Sequence, residues 1–236
     1  MTAVGAFFLG LLSGGIYGAI VLVAAGLAPG GTWLWMRGLY FVVGVALVSA
    51  IGSSWLAATN PAALKVRMQS IYQSRARKQP LVDRLATTIL AIAWFAWLVF
   101  MPLDVMWLKI LPTLPEWSGP VGGMLAVIGV AIMLAAMGEN EFAAPTVLDQ
   151  SDTGQRVIDT GPYGLVRHPM YAGGLLLIPG VALALGSLAG VFSGVAGMAV
   201  FLPIRIAVEE GFLNKTLPGY RDYARRVRAR LIPYLL

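Results

Sequence analysis

Long apolar runs alternate with short polar stretches along this 236-residue chain, and the alternation predicts its elements. A helix needs about 20 apolar residues to cross a bilayer. Four runs reach that length, namely Val4 to Ala28, Trp33 to Ala58, Leu85 to Leu108 and Gly119 to Met137. A further stretch from Tyr171 to Val208 is split near Gly186-Ser187 into two halves of about minimum length. The pattern predicts an all-α, polytopic membrane bundle of about five to six transmembrane segments, including a C-terminal helical hairpin.

Small and irregular residues inside the runs predict how the helices pack. Gly10, Gly14 and Gly18 recur every four residues and share one helix face, where small residues let two helices approach closely. This stripe indicates packing within the chain or, alternatively, a dimer interface. Pro102 predicts a kink in the third run, and we interpret Asp104 beside it as a carboxylate solvated at the interface, with a functional role as the alternative.

Composition supports the membrane prediction and excludes several chemistries. The chain is 58% hydrophobic and 12% charged, whereas a soluble domain has about 25% charged residues. There is no cysteine, which excludes disulfides, thiolate catalysis and cysteine-based zinc sites, and a single histidine argues against a metal centre. Neither a dinucleotide-binding glycine motif nor a phosphate-binding loop of the Walker type is present.

The positive charge is concentrated in a few stretches. Of 17 Lys and Arg, 15 lie in residues 60–84, 138–171 and 205–236. The positive-inside rule places these stretches in the cytoplasm, together with both termini and the site described below. They lack interleaved aromatic residues, so we expect contact with membrane lipids and not with nucleic acid. A bacterial inner membrane is the favoured location, with the endoplasmic reticulum as the alternative.

Two regions follow from this distribution. Residues 1–140 hold the N-terminal transmembrane helices and a basic loop at 60–84, for which we predict an amphipathic helix on the membrane surface. Residues 141–236 hold the candidate chemistry, and Arg221 to Leu231 is predicted to form a short surface helix. Asn140 and Glu141, at the junction, either are solvated at the interface or line a polar pocket.

The candidate chemistry lies in two stretches, which we expect the fold to bring together over a small molecule. Gly161-Pro162-Tyr163 and Arg167-His168-Pro169-Met170-Tyr171-Ala172-Gly173 contain the only histidine. Arg205 and Glu209-Glu210 stand at the end of the last apolar run, where charges are costly unless they are paired or functional.

Spacing within these stretches leaves several roles open. Arg205 and Glu209 share a helix face and either form an ion pair or bind different ligands. Glu209 and Glu210 point about 100° apart, so one can face a pocket while the other meets water or the basic tail. His168 precedes a proline, which favours an extended backbone, and it is either a structural turn residue or a cofactor contact.

These stretches, together with Tyr220-x-x-Tyr223 and Arg230-Leu231-Ile232-Pro233, resemble the isoprenylcysteine carboxyl methyltransferase family, which is close to the membrane phospholipid N-methyltransferases. The resemblance covers the last third of the chain. It implies an S-adenosylmethionine-dependent methyltransferase that binds its cofactor from the cytosol and takes a lipophilic or amphiphilic acceptor from the bilayer.

The resemblance also implies roles for particular residues. Arg205 would contact the acceptor, and Glu209 would bind S-adenosylmethionine. The other implied cofactor contacts are Gln155, Arg156, Val157, Ile158, Tyr163, His168, Pro169, Met170 and Tyr171. From the chemistry of the cofactor we add Glu210, because either glutamate can face its cationic end, while Arg167 or His168 can bind its carboxylate.

The expected reaction is carboxyl O-methylation of an isoprenylcysteine-like acceptor. A phospholipid, an amine and a small thiol are the alternative acceptors. A sterol-reductase-like NADPH enzyme, which has a similar His-Pro-x-Tyr stretch, is a rival interpretation, although such enzymes typically have a glutamate where Gly174 stands here. A membrane transporter or scaffold without enzymatic activity is the third interpretation, after the methyltransferase and the reductase. The oligomeric state is left open.

Overall fold

The computed structural model describes residues 2–66, 81–142 and 154–233, with the backbone alone described at residues 81–84 and 86. Within these ranges every regular element is helical. The elements are α1 (Ala3–Leu27), α2 (Met36–Thr59), α3 (Leu81–Leu103), α4 (Ser118–Glu139), α5 (Pro169–Leu185), α6 (Leu188–Thr216) and α7 (Tyr220–Arg226). A π-helical turn, Asp104–Leu108, extends α3, and a 3-10 turn, Gly161–Gly164, precedes α5.

The predicted polytopic helical bundle is confirmed. In the described part of the chain, five helices are long and apolar enough to cross a membrane, namely Ala3–Leu27, Met36–Thr59, Thr87–Leu108, Ser118–Glu139 and Leu188–Thr216. The α5 helix has only 17 residues. At 1.5 Å per residue it is about 25 Å long, slightly less than the hydrocarbon core of a bilayer. Most of the predicted basic loop at 60–84, including its amphipathic helix, lies outside the described residues.

The predicted hairpin forms with its break at the expected place. Gly186 ends α5 with a φ of 82°, a left-handed conformation that glycine adopts without strain. Ser187 caps α6, since its hydroxyl accepts a hydrogen bond of 2.8 Å from the Gly190 amide. The chain therefore reverses within two residues, and α5 begins at the same end of the bundle at which α6 finishes.

Glycines bring pairs of helices into backbone contact. A Cβ added to Gly14 would lie 2.6 Å from the Val45 carbonyl oxygen on α2, so the intrachain interpretation of the first glycine stripe is confirmed. Between α4 and α5, a Cβ on Gly173 would lie 2.5 Å from the Gly129 carbonyl oxygen. Gly173 follows the His-Pro turn closely, so this contact sets the position of that turn against α4.

The interpretation of Asp104 as a solvated carboxylate is wrong. Its side chain is 1% exposed. It accepts hydrogen bonds from the Ser187 hydroxyl at 2.7 Å and from the Ile110 amide at 3.0 Å. The reason is local, because the π-helical turn that follows Pro102 directs the carboxylate toward the start of α6. Protein donors there replace water, as a buried charge requires.

Two polar groups mark opposite ends of the bundle. Arg37, at the start of α2, donates to the Pro115 carbonyl at 2.7 Å and to the Ser118 hydroxyl at 3.0 Å, so it holds the beginning of α4. Asn60, just past the end of α2, donates to the Gly138 carbonyl at 3.0 Å near the end of α4. The stretch Gly161 to Gly173 lies at the Asn60 end.

Candidate functional site

The His-Pro turn and the two consecutive glutamates meet at one end of the hairpin. His168 caps α5 at its N-terminus and is 5% exposed. Its Nε2 lies 3.1 Å from Glu210 Oε1, and its Nδ1 lies 3.8 Å from Glu209 Oε1. These residues are about 40 positions apart in sequence, and they converge because α5 and α6 are joined by a two-residue reversal. The predicted proximity of His168 and Glu209 is therefore confirmed.

Glu210 contacts two guanidinium groups and the His168 imidazole. Its Oε1 accepts a hydrogen bond of 2.7 Å from Arg167 Nε, and its Oε2 lies 3.4 Å from Arg230 Nε. With the contact to His168, this carboxylate is largely enclosed, and its side chain is 14% exposed. A carboxylate with this many donors is stable without a ligand.

Arg167 also binds the backbone of the tail, which we define as residues 217–233. Its Nη1 donates to the carbonyls of Val227 at 2.7 Å and Arg228 at 2.8 Å. The predicted surface helix from Arg221 to Leu231 is accordingly wrong in extent, because α7 ends at Arg226. The carbonyls that follow α7 accept from Arg167 instead of from helical amides.

The extended part of the tail runs over the His-Pro turn. The amides of Arg167 and His168 donate to the carbonyls of Ala229 at 3.0 Å and Arg230 at 2.9 Å. The Tyr223 hydroxyl, on α7, donates to the Tyr163 carbonyl at 2.9 Å. The tail is thus a structural part of the site.

Glu209 has different partners from Glu210. The Tyr171 hydroxyl donates to Glu209 Oε2 at 2.6 Å and accepts a bond of 3.2 Å from Arg205 Nε. The Tyr171 ring stacks on His168 with centroids 5.6 Å apart and an interplanar angle of 23°. Arg205 is buried, whereas the side chain of Glu209 is 28% exposed. The two glutamates point apart as predicted, and Glu209 is the more accessible one.

The residues around the 3-10 turn support the site from the α4 side. The Tyr163 ring is buried, and its hydroxyl accepts a hydrogen bond of 3.2 Å from Asn140 Nδ2. The sequence predicts that Asn140 either is solvated at the interface or lines a polar pocket. Its hydrogen bond to Tyr163 connects it to the residues of the site. Gly161 has a φ of 55° and approaches Glu139 so closely that a Cβ would lie 2.7 Å from Glu139 Cγ.

The remaining predicted residues lie at the edges of this cluster. Pro169 is buried as the first residue of α5, and Met170 packs on a small core that contains Leu56 and Met137. The Arg156 side chain is 74% exposed and lies 3.9 Å from Glu141. Its neighbours Gln155, Val157 and Ile158 are partly buried.

Tyr220 is a residue to which the sequence motif assigns no role. Its side chain is 4% exposed, and its hydroxyl has no hydrogen-bond partner in the described part of the chain. Burial, followed by the negative charge of Glu210, raises the pKa of the Tyr220 phenol above its usual range, so the phenol stays neutral. Its sequence signal was an aromatic residue directly after the Leu217-Pro218-Gly219 turn.

Metal-ligand geometry is absent from residues 2–66, 81–142 and 154–233, where no group of three His, Asp or Glu side chains is arranged to hold an ion. The cations around Glu210 account for this physically, because they occupy the carboxylate that a metal would need.

Two curated relatives match parts of the chain. The cobalt-zinc-cadmium resistance protein CzcN of Cupriavidus metallidurans is 33% identical over 113 residues, which cover 48% of this chain and 50% of that protein. The nickel-cobalt-cadmium resistance protein NccN of Alcaligenes xylosoxydans xylosoxydans is 32% identical over 73 residues, which cover 31% and 34% respectively. The chain thus spans half or less of the relatives' length.

A family comparison covers the part of the chain that builds the site. Residues 117–218 match the sequence model described as phospholipid methyltransferase. The matched segment includes α4, the His-Pro turn and the whole α5–α6 hairpin with Arg205, Glu209 and Glu210. The resemblance to membrane methyltransferases is confirmed over this segment, which is similar in sequence to the phospholipid methyltransferase family.

Proposed function

We propose that this protein is an integral membrane methyltransferase that uses S-adenosylmethionine and methylates an amphiphilic or hydrophobic acceptor. The membership of residues 117–218 in a methyltransferase family supports the reaction class. The observation that carries the proposal is the placement of His168, Tyr171 and Glu209 in one cluster at the end of the hairpin.

The residues present fit S-adenosylmethionine by their chemistry. A cationic ligand needs an accessible anion, which Glu209 supplies, and a flat adenine needs an apolar or aromatic surface. The buried hydroxyl of Tyr220 is a polar group without a hydrogen-bond partner in the described part of the chain. Gln155, Val157, Ile158, Tyr163, Pro169 and Met170 are proposed to complete the cofactor site. When bound, S-adenosylmethionine supplies a methyl group on a positively charged sulfur.

Arg205 and Tyr171 define the acceptor side in this proposal. Arg205 is a buried cation held by the Tyr171 hydroxyl, and a buried cation favours an anionic acceptor such as a carboxylate. A carboxylate carries no proton to lose, so no general base is needed. Alignment alone can contribute effective molarities of up to about 10⁵–10⁸ M. Exclusion of water makes an anionic acceptor more reactive.

An amine acceptor is the alternative and requires removal of a proton. His168 is the candidate base because Glu210 is occupied by Arg167 and Arg230. A phospholipid headgroup or a small thiol would use the same cluster. Arg205 favours the anionic acceptor over these.

Metal binding is a second candidate function, because both curated relatives are named for metal resistance. The charges of the cluster argue against it. Glu210 is already paired with Arg167 and Arg230. Arg205 and Glu209 are bridged by the Tyr171 hydroxyl, which accepts from Arg205 and donates to Glu209. Among the described residues this leaves no set of three His, Asp or Glu side chains arranged to hold a divalent cation.

The test is calorimetric binding of S-adenosylmethionine and its demethylated product to the purified protein. Glu209→Gln keeps the shape and removes the charge, so we expect binding of the methyl donor to weaken about 10- to 100-fold, the range for hydrogen bonds to charged groups. Glu116→Gln is the matched control, since Glu116 is 95% exposed near Arg37 at the opposite end of the bundle.

Three results would count against the proposal. They are no binding by the wild type, binding that ignores Glu209→Gln, and binding of Zn²⁺ or Co²⁺ that depends on Glu209 while the methyl donor does not bind. Transfer of a radiolabelled methyl group in membranes supplied with prenylcysteines, phospholipids, amines and thiols would then identify the acceptor.

A further inference from the structure

Tyr220 has a buried hydroxyl that no group in the described residues satisfies. The side chain is 4% exposed, and the hydroxyl has no hydrogen-bond partner there. Most buried polar groups in folded proteins are hydrogen-bonded, so an exception requires an explanation. Tyr223, one helical turn later, provides the contrast, because its buried hydroxyl donates to the Tyr163 carbonyl at 2.9 Å.

The surroundings of Tyr220 are those of the candidate cofactor site. The charges of Glu210, Arg167 and Glu209 act on its phenol. Gly219, the residue before it, has a φ of 83°, and a Cβ there would lie 3.9 Å from Val157 Cγ2. The segment implied to bind the cofactor therefore passes beside the turn that positions Tyr220. Tyr220 itself lies just beyond the family match at 117–218.

We propose that the Tyr220 hydroxyl is a further binding group for the methyl donor, accepting a hydrogen bond from the ammonium of its amino-acid portion. This inference rests on the proposed function and deepens it. Glu210 is paired with Arg167 and Arg230, so Glu209, whose negative charge also acts on the phenol and whose carboxylate is partly exposed, is the group that attracts the cationic end of a ligand. The methyl donor has two cationic groups, and only the ammonium has N–H bonds to donate, because the sulfonium has none.

Contacts made by the tail fix the position of Tyr220 next to the candidate cofactor site. Arg167 holds the carbonyls that follow α7, and Tyr223 fixes α7 to the 3-10 turn. The Tyr220 ring lies 5.7 Å from the Tyr223 ring, so both are anchored by the same contacts. The hydroxyl is therefore preorganised, which reduces the entropy lost on binding.

The experiment compares Tyr220→Phe with Tyr223→Phe, the same chemical change three residues apart. Calorimetry would measure the Kd of S-adenosylhomocysteine and of methylthioadenosine, which lacks the amino-acid portion. Tyr220→Phe is expected to raise the Kd of S-adenosylhomocysteine about 10- to 100-fold, the range for a hydrogen bond to a charged group. It should leave the Kd of methylthioadenosine unchanged.

Thermal unfolding of the ligand-free protein gives an independent readout. Tyr220→Phe removes a hydroxyl without a partner, so the midpoint should stay the same or rise. Tyr223→Phe removes a made hydrogen bond, so the midpoint should fall. A fall for Tyr220→Phe that equals the fall for Tyr223→Phe would mean that Tyr220 has a partner within the fold, which overturns the inference.

The outcomes separate this inference from the proposed function. If the wild type binds neither ligand, both are overturned. If the wild type binds S-adenosylhomocysteine and Tyr220→Phe binds it equally well, the inference fails and the proposed function stands. Equal weakening of both ligands would place the contact on the nucleoside portion and would also overturn the inference.

Discussion

The contact between Arg167 and Glu210 gives the strongest quantitative prediction. Arg167→Met keeps most of the side-chain volume and removes the guanidinium that binds Glu210 at 2.7 Å and three tail carbonyls. Removing one partner of a buried ion pair costs about 3–5 kcal/mol. Because His168 and Arg230 still contact Glu210, we take the lower end, about 3 kcal/mol. For a protein of about 150–250 residues, this lowers the unfolding midpoint by about 6–12 °C.

Arg230→Met is the matched control because it removes the same charge from the same carboxylate. The Arg230 side chain is 57% exposed and lies 3.4 Å from Glu210, whereas the Arg167 side chain is 8% exposed. Exposed pairs contribute about 0–1 kcal/mol, so the midpoint should fall by no more than about 4 °C.

Two assays would check this prediction on purified protein. The fluorescence of the seven tryptophans reports unfolding of the bundle. Limited trypsin digestion reports release of the tail, since Arg225 and Arg226 are exposed and become cleavable when the tail detaches. Equal midpoints for Arg167→Met and Arg230→Met, with tail cleavage at the wild-type rate in both, would refute the role assigned to Arg167.

Two further predictions concern the packing that supports the site. Gly173→Ala should lower the unfolding midpoint, because its Cβ would lie 2.5 Å from a backbone oxygen and overpacking costs about 1–3 kcal/mol. Gly174→Ala is the control and should be neutral or stabilising, because a Cβ there would lie at an ordinary contact distance of 3.6 Å from its nearest neighbour. Equal midpoints for the two variants would contradict this packing. Asp104→Ala should cost about 2–4 kcal/mol, since it leaves the buried Ser187 hydroxyl and the Ile110 amide without an acceptor. Asp222→Ala, at a position where the side chain is 74% exposed, should change thermal stability by less than about 0.5 kcal/mol, and a similar loss in both variants would count against the buried role of Asp104.

The sequence predicted the helices and the meeting of the two motifs for physical reasons. Apolar runs of membrane-spanning length leave few alternatives to helices. The Gly186-Ser187 break fixed the hairpin, and a hairpin brings the start of its first helix to the end of its second. The sequence therefore predicts that His168 and Glu209 lie near each other.

The sequence did not predict contacts that depend on irregular backbone. The sequence suggests that Arg167 can bind the carboxylate of the cofactor, but in the structure its guanidinium binds the carbonyls of Val227 and Arg228. Asp104 turned inward because a π-helical turn follows Pro102. Periodicity carries no information about such turns, since they add or remove residues from the helical repeat.

The two glutamates divide two tasks that a single carboxylate could not perform together. Glu210 is neutralised by Arg167 and approached by Arg230, so its charge is used to hold the tail over the His-Pro turn. Glu209, rotated by about 100° on the same helix, keeps a partly exposed carboxylate. The His168 ring contacts both, with Nε2 3.1 Å from Glu210 Oε1 and Nδ1 3.8 Å from Glu209 Oε1. Because one imidazole contacts both carboxylates, the position of the tail fixes the ring against which Glu209 and Tyr171 are arranged.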